Sequence, residues 1–311
     1  MAASAAKKSS GTKVWLIALI FVSVILLIGV FAAAVSSLGK GQGSIARIQI
    51  SGAIGGGDLL SGSGVNPDEI VDMIERADSD STVRGILIEI NSPGGTPVAS
   101  EEMMRAVKGT SKPTVALIRD IGASGAYWVA SAASYIVASP VSLTGSVGVR
   151  SSYLEFSQFL SRYGVRYESL ASGEYKELGS PYRNLTDVER ELLLDELAKT
   201  HDYFLSSVAE NRQITSEENL GIIASARVFL GSEALELGLV DVLGGRKEAE
   251  DWLKEHTNLT EINYISYERK PFFNIGGLAA EQASIIGRSL GHSVATTLVW
   301  SGSRPLETLQ T

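Results

Sequence analysis

Ser124 is the residue whose type and surroundings most clearly suggest chemistry. It lies in the stretch IRDIGASGAYWVASAASY, residues 118–135, where an apolar strand is expected to turn into a helix. A serine in this position is commonly a helix N-cap. It can also be a nucleophile, because a helix N-terminus favours the negative charge that develops during attack. The local sequence leaves both interpretations open.

A nucleophilic serine needs a base, and the sequence offers few candidates. His201 falls within a predicted long helix, and His256 and His292 lie in an irregular tail, so a Ser-His-Asp arrangement is disfavoured. The remaining candidate is Lys176 in ASGEYKELGSPYR, which follows a predicted strand, VRYESL, and precedes Pro181. A lysine acts as a base only where burial or neighbouring charges make its neutral form available. Since most lysines are solvated surface residues, the role of Lys176 stays open at this point.

Two glycine-rich turns follow predicted strands, where sites form in open α/β sheets. One is NSPGG, which ends in Gly94 and Gly95, and the other surrounds Ser124 and includes Gly125. Glycines without a Cβ allow a ligand to approach the backbone closely, and their amides can stabilise an oxyanion. Ordinary tight turns are the alternative interpretation. Neither turn fits a dinucleotide-binding or P-loop pattern.

Composition excludes several classes of site. The 311 residues include no cysteine, which rules out disulfides, thiolate zinc sites and a cysteine nucleophile. A formal net charge of −8 argues against a nucleic-acid-binding surface on electrostatic grounds. The three histidines show no metal-ligand spacing, so they indicate no metal site.

The N-terminal region predicts a membrane anchor. Residues 14–35 carry no charge and would form roughly 33 Å of helix, about the thickness of a bilayer core. Three lysines precede this segment, which places residues 1–13 in the cytoplasm and the rest of the chain across the membrane. We therefore expect a transmembrane helix over residues 14–36 and a Gly/Ser linker over residues 37–44. A cleaved signal peptide is the alternative, because FAAAVSS offers small residues for cleavage.

From residue 45 the chain alternates apolar runs with helical patterns, which is typical of an α/β domain with a parallel sheet. Helices are expected after the cap residue Asn66, over residues 97–107, and over residues 186–212 with Thr186 and Glu189 as a capping box. Strands are expected over residues 45–50, 84–90, 114–119 and 135–139.

Five motifs in order then resemble one family. NSPGG, DIGASGAY, LTGSVGV, SGEYKELGSP and RVFLGSEALELGLVD are similar to those of the signal peptide peptidase A family, Ser-Lys peptidases with a Clp/crotonase-like fold of mostly parallel sheets and flanking helices. The length and the single anchor resemble the short, one-domain bacterial form. The resemblance implies a peptidase domain over residues 45–255, followed by an extension over residues 256–311 that matches no motif.

The resemblance also implies roles for individual residues. Ser124 would be the nucleophile, Lys176 the general base, and Ser146 of LTGSVG the hydroxyl that orients the lysine. The amides of Gly95 and Gly125, beside Gly94, would form the oxyanion hole. Under this interpretation Ser124 both caps the helix and attacks the substrate.

What the resemblance implies for the whole protein is a membrane-anchored serine endopeptidase without metal or cofactor. It would form a homo-oligomeric ring whose sites take Ser and Lys from adjacent protomers, and it would degrade signal-peptide remnants and other unstructured peptides at the extracytoplasmic face. Two alternatives remain: a crotonase-type acyl-CoA enzyme with the same fold, and a non-catalytic membrane scaffold.

Overall fold

The computed structural model describes residue 15 and residues 19–31, 43–55 and 64–267. Residues 19–31 form helix α1, whose side chains are exposed and which lies inside the anchor predicted from sequence. No helix in these ranges is both long and apolar enough to cross a bilayer. Three predicted segments lie wholly or partly outside the described residues. They are the cytoplasmic N-terminus (residues 1–13), most of the linker, and residues 268–311 of the extension.

A mostly parallel sheet forms the centre of the fold. Its strands in the described chain are β1 (Ser44–Ser51), β2 (Val83–Ser92), β3 (Thr114–Ala123), β4 (Tyr135–Ala138), β5 (Leu143–Gly145), β6 (Val228–Leu230), β7 (Val242–Leu243) and β8 (Tyr264–Ser266). Their order is β6-β5-β3-β2-β1-β8, and β4 joins the sheet by pairing with β3 and β7. Only the pairing of β5 with β6 is antiparallel among the strands described. The predicted mixed α/β class with a mostly parallel sheet is confirmed.

Helices cover both faces of this sheet, which explains why its central strands are continuous apolar runs. Eight helices follow α1 in the described chain: α2 (Pro67–Ser79), α3 (Pro97–Gly109), α4 (Gly125–Ser131), α5 (Ser157–Arg162), α6 (Asp187–Arg212), α7 (Glu217–Ala224), α8 (Gly231–Glu236) and α9 (Arg246–Thr257). Leu253 of α9 packs with Leu87 and Val115 on one face. Residues of α2, α3 and α4 share a larger apolar core with Ile86 and Ile88 on the other.

The predicted helix starts are confirmed at two positions. Asn66 caps α2, since its Oδ1 accepts a hydrogen bond from the amide of Asp68 at 3.0 Å. Thr186 caps α6 in a capping box, where the amide of Glu189 donates to Thr186 Oγ1 and the amide of Thr186 donates to Glu189 Oε2. These reciprocal bonds satisfy amides that the helix itself leaves without partners.

On one side, strand β3 pairs with two different strands along its length. Its first half pairs with β4, from Val115 to Ile118, and its last residues pair with β5, from Ile121 to Ala123. The carboxyl end of β3 is therefore held between β2 and β5. Because the chain enters α4 directly afterwards, this edge of the sheet positions Ser124.

The sheet continues further along the chain than the sequence indicated. β8 pairs in parallel with β1, so residues 264–266 belong to the sheet although the predicted boundary was residue 255. The strand has three residues, which is too short for an alternating pattern to be recognised.

The predicted strand VRYESL is wrong. Residues 165–170 have no regular secondary structure and are exposed, with Leu170 at 95% relative exposure. Although Val165 and Tyr167 alternate with charged residues, the segment pairs with no strand in the described ranges. The stretch that leads to Lys176 is therefore an exposed loop.

Candidate active site

Ser124 lies at a sharp turn between the last residue of β3 and the first residue of α4. Its φ of 53° and ψ of −130° lie in a region that non-glycine residues rarely adopt. Two backbone hydrogen bonds hold this conformation. The amide of Ser124 donates to the carbonyl oxygen of Gly145 at 2.8 Å, and the amide of Trp128 donates to the carbonyl oxygen of Ser124 at 3.0 Å. A strained serine on a strand-to-helix turn is the arrangement that exposes the nucleophile in α/β-hydrolases.

The hydroxyl of Ser124 does not cap α4. The residue occupies the N-cap position, but its side chain makes no capping hydrogen bond. The predicted N-cap position of Ser124 is confirmed, but a side-chain cap normally accompanies extended backbone angles, and Ser124 has a positive φ and lacks that bond. Its hydroxyl is left facing a cavity that it helps to line.

The turn after β2 brings a second element to the site. The amide of Gly94, which has a φ of 98°, donates to Ser92 Oγ at 3.1 Å. Gly95 bridges Ile54 in parallel fashion, with hydrogen bonds from the amides of Ile54 and Thr96 on either side. This pattern directs the amide of Gly95 away from Ile54. A Cβ on Gly95 would lie 1.8 Å from the carbonyl oxygen of Ile54, so only glycine fits.

The amides of Gly95 and Gly125 lie close together beside Ser124. A Cβ built on Gly125 would be 3.4 Å from the nitrogen of Gly95, and one built on Gly94 would be 2.9 Å from the Cβ of Ser124. As the first residue of α4, Gly125 has no acceptor within its helix. Neither the Gly95 nor the Gly125 amide has a hydrogen-bond acceptor within the described ranges. Of the three predicted glycines, these two present amides that an oxyanion could bind, whereas the amide of Gly94 is already bound.

Ser146 lines the same cavity from the other side. It follows β5, has a φ of 54°, and donates its amide to the carbonyl oxygen of Arg227 at 2.9 Å. The next residue, Val147, has its carbonyl oxygen 3.1 Å from Nε2 of His201. This histidine of α6 thus contacts the loop that carries Ser146, a role that the sequence did not indicate.

The cavity that these residues share has a volume of about 550 Å³. Apolar side chains form much of its wall, including the stacked rings of Trp128 and Phe204, whose centroids are 4.4 Å apart. Sequence reasoning missed this wall. Its one available signal was the position of Trp128, one helical turn after Ser124, which places the two on the same side of α4. No cluster of side chains suited to a metal ion occurs in the described ranges.

Lys176 is not among the residues that line this cavity. It is exposed, in a run of turns where its amide donates to the carbonyl oxygen of Gly173 at 3.3 Å. The single chain therefore brings together Ser124, Ser146 and the glycine amides, but it does not bring Lys176 to them.

Arg183 ties the segment that carries Lys176 to the start of α6. Its Nη2 donates to the carbonyl oxygen of Glu177 at 3.1 Å, and its guanidinium binds both carboxylate oxygens of Glu189, at 2.8 and 2.5 Å. This bidentate pair, together with the amide of Thr186, lowers the pKa of the buried Glu189 to about 2. The residue next to Lys176 is thus fixed through its backbone to a helix.

Comparison with known proteins identifies the family of the chain. Residues 106–260 match the model of peptidase family S49. A protein of Methanocaldococcus jannaschii, provisionally named as a protease, is 31% identical over 294 residues, which cover 90% of this chain and 94% of that protein. A protein of Enterococcus faecium, provisionally named signal peptide peptidase SppA, is 29% identical over 74% of this chain and 68% of its own length. The chloroplastic serine protease SPPA of Arabidopsis thaliana is 31% identical over 70% of this chain and 33% of its own length.

The matched region contains Ser124, Gly125, Ser146 and Lys176, and the similarity to the archaeal protein extends over nearly the whole chain. The chain belongs to peptidase family S49, the signal peptide peptidase A family, and is a peptidase.

Proposed function

We propose that this chain is a serine endopeptidase in which Ser124 is the nucleophile. The observation that carries the proposal is the strained Ser124, whose hydroxyl is uncommitted and lies beside the free amides of Gly95 and Gly125. As Ser124 Oγ attacks the carbonyl carbon of a peptide bond, its proton passes to a base and the carbonyl oxygen becomes negative. The two amides would bind that oxygen, and the loss of one such donor typically reduces the rate by about 10²–10³.

Completion of the reaction requires three further proton transfers. The protonated base gives its proton to the departing amine as the carbon–nitrogen bond breaks, which leaves an ester on Ser124. Water then attacks the ester while the base takes a proton from it, and the base returns that proton to Ser124 Oγ as the bond between that oxygen and the acyl group breaks and the acid product leaves.

Lys176 of an adjacent protomer is the base in this proposal, with Ser146 orienting its amine. Lys176 is exposed and lies outside the cavity of its own chain, so a second copy is needed to bring a lysine to Ser124 and to exclude water from it. The surrounding segment supports assembly, because it exposes a series of large apolar side chains: Leu154, Phe159, Tyr163, Val165, Leu170, Val188 and Leu194. A closed ring would cover this surface in every copy.

We propose a Clp/crotonase-like fold as the fold class. The proposed substrates are unstructured peptides, including signal-peptide remnants. The apolar rings of Trp128 and Phe204 support an apolar peptide ligand, and the name of the Enterococcus faecium relative supports signal peptides. The anchor predicted over residues 14–36 would hold the site beside the membrane in which such remnants lie. A reporter fused after Thr311 should be active only outside the cytoplasm, and a cytoplasmic signal would overturn this topology.

Labelling with a fluorophosphonate tests the catalytic proposal. A serine peptidase should be modified at Ser124, as identified by mass spectrometry of the labelled peptide. A crotonase-type acyl-CoA enzyme or a scaffold should remain unlabelled.

Ser124→Ala should retain folding and assembly, measured by circular dichroism and light scattering, while losing peptide cleavage. Residual cleavage above about 1% of wild type would remove Ser124 from the mechanism, because loss of a nucleophile typically costs several orders of magnitude in kcat.

A further inference from the structure

Arg150 is the charged residue among those that line the cavity at Ser124. The remaining lining residues are apolar, small or neutral, and they include Ser124, Trp128, Ser146 and Phe204. The Arg150 side chain is exposed and forms no ion pair with any side chain in the described part of the chain. A free cation therefore faces a site that otherwise carries no charge.

The loop that carries Arg150 is fixed on the side next to the site. The amide of Ser146 donates to the carbonyl oxygen of Arg227, and the carbonyl oxygen of Val147 contacts Nε2 of His201. These two anchors lie within four residues of Arg150 and belong to separate elements. The backbone that leads to Arg150 is thus held in place at Ser146 and Val147, which lowers the entropy lost by the backbone when a ligand binds.

The charge of Arg150 contrasts with that of the protein as a whole. The formal net charge is −8, so the average field around the chain disfavours anions. A guanidinium presents a planar set of donors that matches a carboxylate in a bidentate pair. In a cleft with apolar walls, such a pair is screened less than on an open surface.

We infer that Arg150 binds a carboxylate of the peptide substrate close to the bond that is cleaved. This inference rests on the proposed function, and it adds a substrate class to it. The carboxylate is either an Asp or Glu side chain or the free carboxyl terminus of a short peptide. Because Trp128 and Phe204 line the same cavity, the preferred substrate combines an apolar residue with a nearby carboxylate.

A set of matched peptides tests the inference. The parent is a neutral, amidated fluorogenic peptide. Three further peptides each differ from the parent in one respect. One has a Glu at one position beside the cleaved bond, one has a Lys at the same position, and one has a free carboxyl terminus. In wild type, kcat/KM should be about tenfold higher for at least one carboxylate peptide than for the parent, as expected for one charge-assisted bidentate pair. The Glu and free-acid peptides identify which source of carboxylate is used.

Two variants and one control complete the experiment. In Arg150→Gln the ratio of kcat/KM between the carboxylate peptide and the parent should fall to about one. In Arg150→Glu the preference should change to the Lys peptide, because the sign of the charge is reversed. The control is Arg84→Glu, which makes the same change in charge near the start of β2, at the edge of the sheet opposite the site, and should keep the wild-type ratio.

The result that overturns the inference is distinguishable from failure of the proposed function. Absence of cleavage and of fluorophosphonate labelling in wild type would contradict the function of Ser124. Wild-type cleavage without a carboxylate preference, or a preference that survives in Arg150→Gln, would contradict the role of Arg150 alone. Loss of labelling in Arg150→Gln would show that Arg150 acts on the reactivity of Ser124, and loss of assembly would show that it stabilises a contact between subunits. Either result would overturn the inference that Arg150 binds a carboxylate of the substrate.

Discussion

The amide of Ser124 donates a hydrogen bond of 2.8 Å to the carbonyl oxygen of Gly145, the last residue of β5. Gly145 immediately precedes Ser146, so this bond joins the strand-to-helix turn of one serine to the loop of the other. Both serines have positive φ angles of nearly the same value, 53° and 54°. The arrangement keeps two hydroxyls on one cavity although they come from separate strands of the sheet.

Gly95→Ala should destroy the oxyanion site without unfolding the protein. The new Cβ would lie 1.8 Å from the carbonyl oxygen of Ile54, and since both groups belong to the backbone, the turn must shift and carry its amide with it. We expect kcat/KM to fall by about 10² or more, the usual effect of losing one such donor.

The matched control for that change is Gly109→Ala at the end of α3. A Cβ on Gly109 meets nothing within 4 Å, so this variant should cleave peptides at the wild-type rate. Circular dichroism on both variants reports the fold. Near-normal cleavage by a folded Gly95→Ala protein would exclude this turn from the oxyanion hole.

Glu189→Gln should change how stability depends on pH. The bidentate bond from Arg183 lowers the pKa of Glu189 from 4.5 to about 2, so the ionised carboxylate stabilises the folded state. That stabilisation is fully present above about pH 4.5 and is lost as the pH falls towards 2. The Tm of Glu189→Gln should therefore lie below that of wild type at pH 7, and the two values should converge in acid.

Thermal unfolding from pH 7 to pH 2 measures this difference. Glu210→Gln is the control, because Glu210 pairs with Lys108 on the surface with its side chain 73% exposed, and exposed pairs contribute little. A constant gap between wild type and Glu189→Gln across the whole range would show that the effect comes from packing and not from charge.

Lys176→Arg should be as inactive as Lys176→Ala. A guanidinium retains the positive charge but stays protonated, so it cannot accept the proton of Ser124. Ser146→Ala should be impaired less severely, because it removes only the hydroxyl that orients the amine. Steady-state kinetics on the assembled proteins provide the comparison, and substantial activity in Lys176→Arg would mean that the lysine acts only as a charge.

Much of this site could be predicted from sequence, because its glycine-rich turns and helix caps are marked by short stretches of neighbouring residues. Parallel strands end at one edge of a sheet, so glycine-rich turns after β2 and β3 had to meet there, and Gly95, Gly125 and Ser124 do. The sequence also predicted the capping box of Thr186, whose partners lie three residues apart.

The remainder depends on contacts that sequence spacing does not encode. Phe204 reaches the cavity from α6 because distant elements pack together. The free hydroxyl of Ser124 accompanies a positive φ that is held in part by a hydrogen bond to Gly145, a residue of another strand. The place of Lys176 depends, in our proposal, on a second copy of the chain.

Complementation between two inactive variants tests the central claim most directly. Ser124→Ala retains the lysine and Lys176→Ala retains the serine, so each assembled alone should be inactive. Co-expressed with different tags and purified as mixed assemblies, they should recover about a quarter of wild-type activity, because in a head-to-tail ring one site in four on average joins an intact serine to an intact lysine of the next protomer. Mixed assemblies that contain both tags yet remain inactive would contradict a site shared between protomers.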